Sequence, residues 1–325
     1  IVTLLALFTC ILFAGNAQDY YFQLGNSKTE ATVLENNLNS LRMHFTLQGI
    51  SGKDFVSKDG QSYTELYFGN GYSIGEIGTP KLPAFRKLIQ IPHGAEVNVK
   101  VIGYYEEDMK LESLGVFNEL YPVQPSIRKD QDIDKEPFHY DKKAYSKKGF
   151  QEIPLASVEV LGTLRGTRIA RVEVAPVNYD PVSGTLKVYN DIEVEINFVG
   201  ADKGLNETIR ATTYSPYFDP IYNMLANPYT KGLYEDHPDL TNYPVKMLVV
   251  SHRMFEATLE PYIAWKTKKG FYVEVAYTDV IGTSASAIQT FIHNKYNNAT
   301  PENPAPTFLV FVGDVQQVPA SATGS

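Results

Sequence analysis

The sequence predicts an all-β domain, an antiparallel sandwich or barrel-like closure, followed by an α/β domain with a parallel sheet. Two observations carry that reading. Up to about Lys231 the chain is almost wholly short runs of alternating apolar and polar residues, the period-two pattern of half-buried strands. Beyond it, Lys246-Met-Leu-Val-Val-Ser251, Phe271-Tyr-Val-Glu-Val-Ala-Tyr277 and Thr307-Phe-Leu-Val-Phe-Val-Gly-Asp314 are strand-length apolar runs separated by stretches of helical period. The order β-α-β-α-β opens a parallel sheet covered by helices. Ser325 follows Asp314 by only eleven residues. The later strands of such a sheet, with any chemistry at their carboxyl ends, are therefore expected outside this stretch.

The first segment reads as a leader. Ile1 to Ala14 is nearly unbroken apolar sequence and runs into Gly15-Asn16-Ala17-Gln18. That is the pattern of a clipped secretory signal peptide over residues 1–17, cut between Ala17 and Gln18. The run is too short for a stable membrane span. Cys10 lies inside it, and the apolar run continues past it through Ile11-Leu12-Phe13, which favours a plain signal over a lipid anchor. Cys10 is the sole cysteine, so the processed chain has neither disulfide nor thiol nucleophile within these residues. A secreted or cell-surface location follows. The 29 Lys and Arg against 37 Asp and Glu give a net charge of -8, which argues against nucleic acid as a partner.

Within residues 18–231 the clearest strand is Asp191-Ile-Glu-Val-Glu-Ile-Asn-Phe198, with Ile192, Val194, Ile196 and Phe198 on one face and Glu193, Glu195 and Asn197 on the other. Ser157–Val160, Arg168–Val174 and Thr185–Tyr189 read as further strands, with a turn at Asp180-Pro-Val-Ser-Gly184. Lys87–Ile91 and Glu96–Val101 flank Pro92-His93-Gly94 as strand, turn and strand. Between Tyr121 and Phe150 the period disappears, and a long, exposed, charged loop is expected. Asn227-Pro228-Tyr-Thr-Lys-Gly232 reads as an exposed, turn-prone link, and Lys231–Gly232 as a bond open to proteolysis.

In residues 232–325, Phe255, Leu259 and Ile263 share a helical face, and Gly270 falls where a helix stop is expected. Ile288, Phe291, Ile292 and Tyr296 form a second stripe behind Thr283 or Ser284 as N-cap. His252 and Asp314 follow strand ends, where parallel sheets place function; a surface loop histidine is the better account of His252, and Asp314, able to orient a base, bind a cation or cap the next turn, stays unassigned. The histidines lack metal-ligand spacing, and no Gly-x-Ser-x-Gly, Walker or Gly-x-Gly-x-x-Gly pattern occurs. No complete catalytic set can be assembled.

Gly75-Glu-Ile-Gly-Thr-Pro-Lys-Leu-Pro83, Arg86–Ile89, Lys148-Gly-Phe150, Leu161-Gly-Thr-Leu-Arg-Gly-Thr-Arg-Ile169, Gly200-Ala-Asp202 and Ser215–Phe218 resemble the propeptide of gingipains. Tyr234–Leu240, Pro244–Val250, Trp265-Lys266, Lys269–Tyr272, Tyr277–Asp279, Ala287–Tyr296 and Val312-Gly-Asp314 resemble the start of the gingipain catalytic domain. The likeness runs in consistent order from about Phe45 to Asp314 and looks nearest to the lysine-specific branch. It implies an inhibitory β-rich propeptide over 18–231 and an incomplete caspase-like domain over 232–325, together the precursor of a secreted cysteine endopeptidase. In such enzymes a Cys–His pair performs acyl transfer; neither residue is assignable here. The implied partners are the protein's own catalytic domain and protein substrates. No cofactor is identified, and calcium is conceivable only in a complete catalytic domain.

A peptidase preferring a basic P1 residue is most simply plugged by a basic side chain. By resemblance Lys129 fits that position, with Arg128 and Lys135 as competitors, and Lys231–Gly232 aligns with the maturation site. The alternative is a cell-surface β-sandwich binding or structural protein with a degenerate α/β domain. A further option is a pro-domain that survives cleavage as a free inhibitor.

Overall fold

The structure, a computed structural model, describes residues 19–69, 71–132, 135–228 and 245–320. The first domain comprises β1 (Asp19–Gln23), β2 (Glu30–Asn36), β3 (Ser40–Thr46), β4 (Gly49–Val56), β5 (Ser62–Tyr67), β6 (Tyr72–Ile74), β7 (Leu82–Ile91), β8 (Glu96–Lys110), β9 (Glu119–Leu120), β10 (Ala156–Leu164), β11 (Thr167–Val174), β12 (Val177–Asp180) and β13 (Thr185–Val199). Short helices α1 (Lys142–Ser146), α2 (Lys203–Thr213) and α3 (Asp219–Tyr222) accompany them. The strands form three sheets, ordered β1-β4-β5-β9, β10-β11-β7-β6 and β12-β13-β3-β2, with β8 along the other side of β13. All pairings are antiparallel except the short β5–β9 contact.

One apolar core lies among these sheets. Leu41, Met43 and Phe45 of β3 meet Ile89 and Ile91 of β7, Val172 and Val174 of β11, and the alternating residues of β13. As the sequence pattern requires, Ile192, Val194 and Ile196 are fully buried, while Glu193 on the opposite face pairs with Arg42 of β3. The two runs read as separate strands, Thr185–Tyr189 and Asp191–Phe198, are one. They join through a bulge at which Asp191 takes φ of 48° and the Asn190 side-chain amide bonds Leu47 in both directions, at 2.7 and 2.9 Å.

Pro92-His93-Gly94 does connect two strands, but not as a hairpin. β7 pairs with β11 and β8 with β13, so the turn is a corner between sheets. The link expectation also needs correcting at its start. Asn227 is only 7% exposed; its Oδ1 accepts from Gln90 N at 2.7 Å and its Nδ2 donates to Gln90 O at 2.9 Å. Ala226 N donates to Leu88 O at 2.8 Å. The segment is therefore laced onto β7, because one amide side chain satisfies both polar groups of a strand residue.

The second domain comprises β14 (Val245–Ser251), α4 (Glu256–Lys268), β15 (Phe271–Tyr277), α5 (Thr278–Ile281), α6 (Ala285–Asn297) and β16 (Phe308–Val312). Its sheet is parallel, ordered β15-β14-β16. Phe255, Leu259 and Ile263 pack on one face and Ile288, Phe291 and Ile292 on the other, so both stripes are core. Ser284 caps α6 by accepting from Ala287 N at 3.2 Å, and Gly270 follows α4 at φ of 88°. Lys246 is buried, with Nζ 2.8 Å from Glu274 and donating to Asn303 at 2.7 Å. Among the described residues no helix is long and apolar enough to cross a membrane.

Candidate functional site

The aperiodic stretch after β9 is not uniformly exposed. Its later half is clamped by aromatic residues. Tyr140 stacks on Tyr145 at 4.4 Å between ring centres, and its hydroxyl donates to Glu119 at 2.8 Å. The Tyr145 hydroxyl donates to Leu120 O, and Asp141 caps α1 by accepting from Lys143 N at 2.9 Å. Burial, and next the Glu119 carboxylate, push the Tyr140 phenol up, so it remains a donor at any physiological pH.

Ahead of that clamp, residues 125–132 and 135–138 belong to the loop proper. Gln124 closes its neck: Nε2 donates to His139 O at 2.8 Å and Oε1 accepts from His139 N at 3.0 Å. Phe138 seals the underside against Tyr63 and Tyr121, 5.7 and 6.1 Å away. The tip is a tight turn in which Gln131 N donates to Arg128 O at 3.0 Å and Arg128 N donates to the Gln131 side chain at 2.8 Å. Lys129 and Asp130 are its central residues.

The three basic candidates are thereby separated. Arg128 is forked onto Asp130, with Nε–Oδ1 at 3.1 Å and Nη2–Oδ2 at 2.9 Å. Lys135 pairs with Asp132 at 3.1 Å. Lys129 is exposed and has no hydrogen-bond or ion-pair partner among the described residues. Exposed pairs of this kind are worth only about 0–1 kcal/mol each, so the distinction is geometric: a braced turn presents one uncommitted ammonium. Ala17, Gln18, Lys231 and Gly232 lie outside the described residues.

At the carboxyl end of the parallel sheet, His252 and Asp314 both serve turns. His252 Nδ1 accepts from Met254 N at 3.2 Å, and Asp314 Oδ1 accepts from Val315 N at 2.7 Å. Arg253 and Asp279 join the ends of β14 and β15 at 2.6 Å, and this hydrogen bond holds the Asp279 carboxyl below its usual range. Among the described residues no group of three or more His, Cys, Asp or Glu is placed to hold a metal.

A second basic side chain sits where the two domains meet, and the sequence reading did not single it out. β10 and β11 form a hairpin closed at Leu164 and Thr167, with Arg165 and Gly166 as its two-residue turn. Both have positive φ, 42° and 75°, the mark of a type I′ turn. Arg165 Nη1 donates to Pro306 O at 2.6 Å, while Nη2 donates to Ala305 O at 3.0 Å and Thr307 Oγ1 at 3.2 Å. These acceptors immediately precede β16. Beside them Ala305 N donates to Thr212 O at 2.9 Å, and Tyr217 lies 5.9 and 5.0 Å from the rings of Phe271 and Phe308. An Arg-Gly pair between two strand-length runs was the available signal: the turn type is legible from it, the docking is not.

Comparison with known proteins agrees with this architecture. Residues 25–212 match the family Propeptide_C25, and residues 240–323 match Peptidase family C25. A Lys-gingipain of Porphyromonas gingivalis is 39% identical over 94% of this chain, which spans 18% of that protein's length. Gingipain R1 of the same organism is 24% identical over 96% of this chain and 30% of its own length. A solved structure described as giving insight into zymogenic latency of gingipain K from that organism superposes with a TM-score of 0.53. It is 37% identical and covers 57% of this chain and 100% of its own. The chain, more similar to Lys-gingipain than to gingipain R1, thus belongs to the gingipains, peptidase family C25, and carries the family's propeptide ahead of residues from its peptidase domain.

Proposed function

We propose that this chain belongs to the latent precursor of a secreted cysteine endopeptidase that cleaves after basic residues, and that Lys129 is the side chain that occupies its P1 pocket. In this reading residues 1–17 are the signal segment, removed between Ala17 and Gln18. Residues 18–231 are the inhibitory pro-domain, released at Lys231–Gly232, and the peptidase domain begins at Gly232. Any calcium requirement belongs to the complete peptidase domain.

The observation that carries the proposal is the uncommitted Lys129 at the tip of a turn whose flanking side chains, Arg128, Asp130 and Gln131, are all hydrogen-bonded within the turn. The turn also explains why a basic residue there inhibits rather than being cut. Attack on a peptide carbonyl needs the scissile unit aligned with the nucleophile and the oxyanion donors. The Arg128 O–Gln131 N hydrogen bond and the Arg128–Asp130 fork hold the backbone curved across Lys129. The ammonium can fill an acidic pocket while the carbonyl of Lys129 itself, the one open to attack, stays out of line.

In the complete precursor, with Lys231→Ala blocking maturation, Lys129→Ala should raise activity on a lysyl peptide by about 100-fold, the loss of one buried charged anchor. Arg128→Ala and Lys135→Ala should each raise it far less. Unchanged activity in Lys129→Ala would remove it as the plug.

A further inference from the structure

The Arg165 turn breaks two local rules at once. A type I′ turn favours Asn, Asp or Gly at its first position, since an L-residue with a long side chain is strained at positive φ. The guanidinium also leaves Nε buried with no partner among the described residues. Neither feature helps the β-domain fold. The compensations lie across the domain boundary, in three acceptors of residues 305–307. Broken local rules of this kind mark positions retained for their contacts.

The surroundings hold the guanidinium in place. Tyr222 donates its hydroxyl to Arg165 O at 3.2 Å, and the Phe218 ring lies 5.2 Å from the guanidinium carbon. His93 Nε2 is 2.8 Å from Gly166 O, and a Cβ on Gly166 would collide with Thr213 of α2. All of these contacts come from the first domain itself.

Its location on the second domain is defined by the strand starts it touches. Phe271 and Phe308 are the first residues of β15 and β16, and residues 305–307 lead into β16. This is the amino end of the parallel sheet, whereas such sheets place their chemistry at the carboxyl end.

We propose that the β10–β11 tip, through Arg165 and assisted by Tyr217, is a second docking site. It holds the peptidase domain by the amino end of its sheet and keeps the two domains associated after the link between them is cut. It does not depend on the Lys129 loop. It rests on the latent-precursor reading only in taking the link to be cut.

The test is made on the full chain with an unrelated protease's recognition sequence in place of the Lys231–Gly232 bond. After cutting, the rate at which the pieces separate is followed by surface plasmon resonance, with one piece tethered. Arg165→Asn creates the most favoured type I′ dipeptide, so the pro-domain's melting temperature should hold or rise, while separation should quicken by about 30-fold, the loss of hydrogen bonds to a charged donor. Tyr217→Ala should quicken it by about 5-fold. If Arg165→Asn separates at the parent rate, or lowers the pro-domain's melting temperature, the second site is overturned and Arg165 is only a turn residue. No peptidase activity enters the measurement, so failure of the Lys129 assignment would be seen separately, as unchanged latency in Lys129→Ala.

Discussion

Two turns in the pro-domain carry a basic residue at their first central position, and they are opposites. At the loop tip, Lys129 is exposed and unpaired among the described residues, on a backbone braced by its neighbours. At the hairpin tip, Arg165 is half-buried, strained and bonded to three acceptors. The first side chain does nothing for the fold and is available to a partner. The second has its partner already. Charge on a turn is thus no guide to role. What decides is whether the surrounding structure consumes the charge or presents it.

The contrast can be broken most severely at Gly166. Gly166→Ala places a Cβ against Thr213 at a φ of 75°, and should cost about 3 kcal/mol from overpacking and left-handed strain together. Urea unfolding of the variant checks this, and a loss under about 1 kcal/mol would mean that the hairpin tip is not locked. A smaller effect is expected at the loop neck. Gln124→Ala removes both bonds to His139 and should cost about 2 kcal/mol. Limited proteolysis should then cut within residues 125–138 much faster than in the parent; an unchanged cutting rate would show that the aromatic clamp alone holds the loop. Smallest of all, Arg128→Ala should shift stability by under about 1 kcal/mol, because both partners of the fork are exposed. A larger shift would place Arg128 among the fold's supports and weaken the distinction between the two turns.

Much of the architecture was legible because period reports burial directly. Ile192, Val194 and Ile196 declared the core face of β13, β15 has the bounds its apolar run suggests, and the Phe255–Leu259–Ile263 stripe of α4 packs as spaced. What was not legible is long-range or polar. α2, from Lys203 to Thr213, has only Leu205 and Ile209 as large apolar residues and buries only Thr213, a stripe too short to announce a helix by period. β12 lies in a continuous buried run that period cannot resolve. The separation of β7 from β8 into different sheets depends on partners 75 residues or more downstream, which no local pattern encodes. At the candidate site the family resemblance pointed to Lys129 as the proposed plug, with Arg128 and Lys135 as competitors. Residue type alone does not separate the three, because what differs between them is the carboxylate that each charge meets.

The lacing of Asn227 to Gln90 turns the link into an unequal leash. From Asn227 to Lys231 the chain can span at most about 14 Å, four residues at full extension. From Gly232 to the start of β14 at Val245 it can span about 45 Å. A cut at Lys231–Gly232, as proposed, would leave the pro-domain's new carboxyl terminus within about 14 Å of its tie to β7. The reach of the new amino terminus from Val245 would be about three times as long.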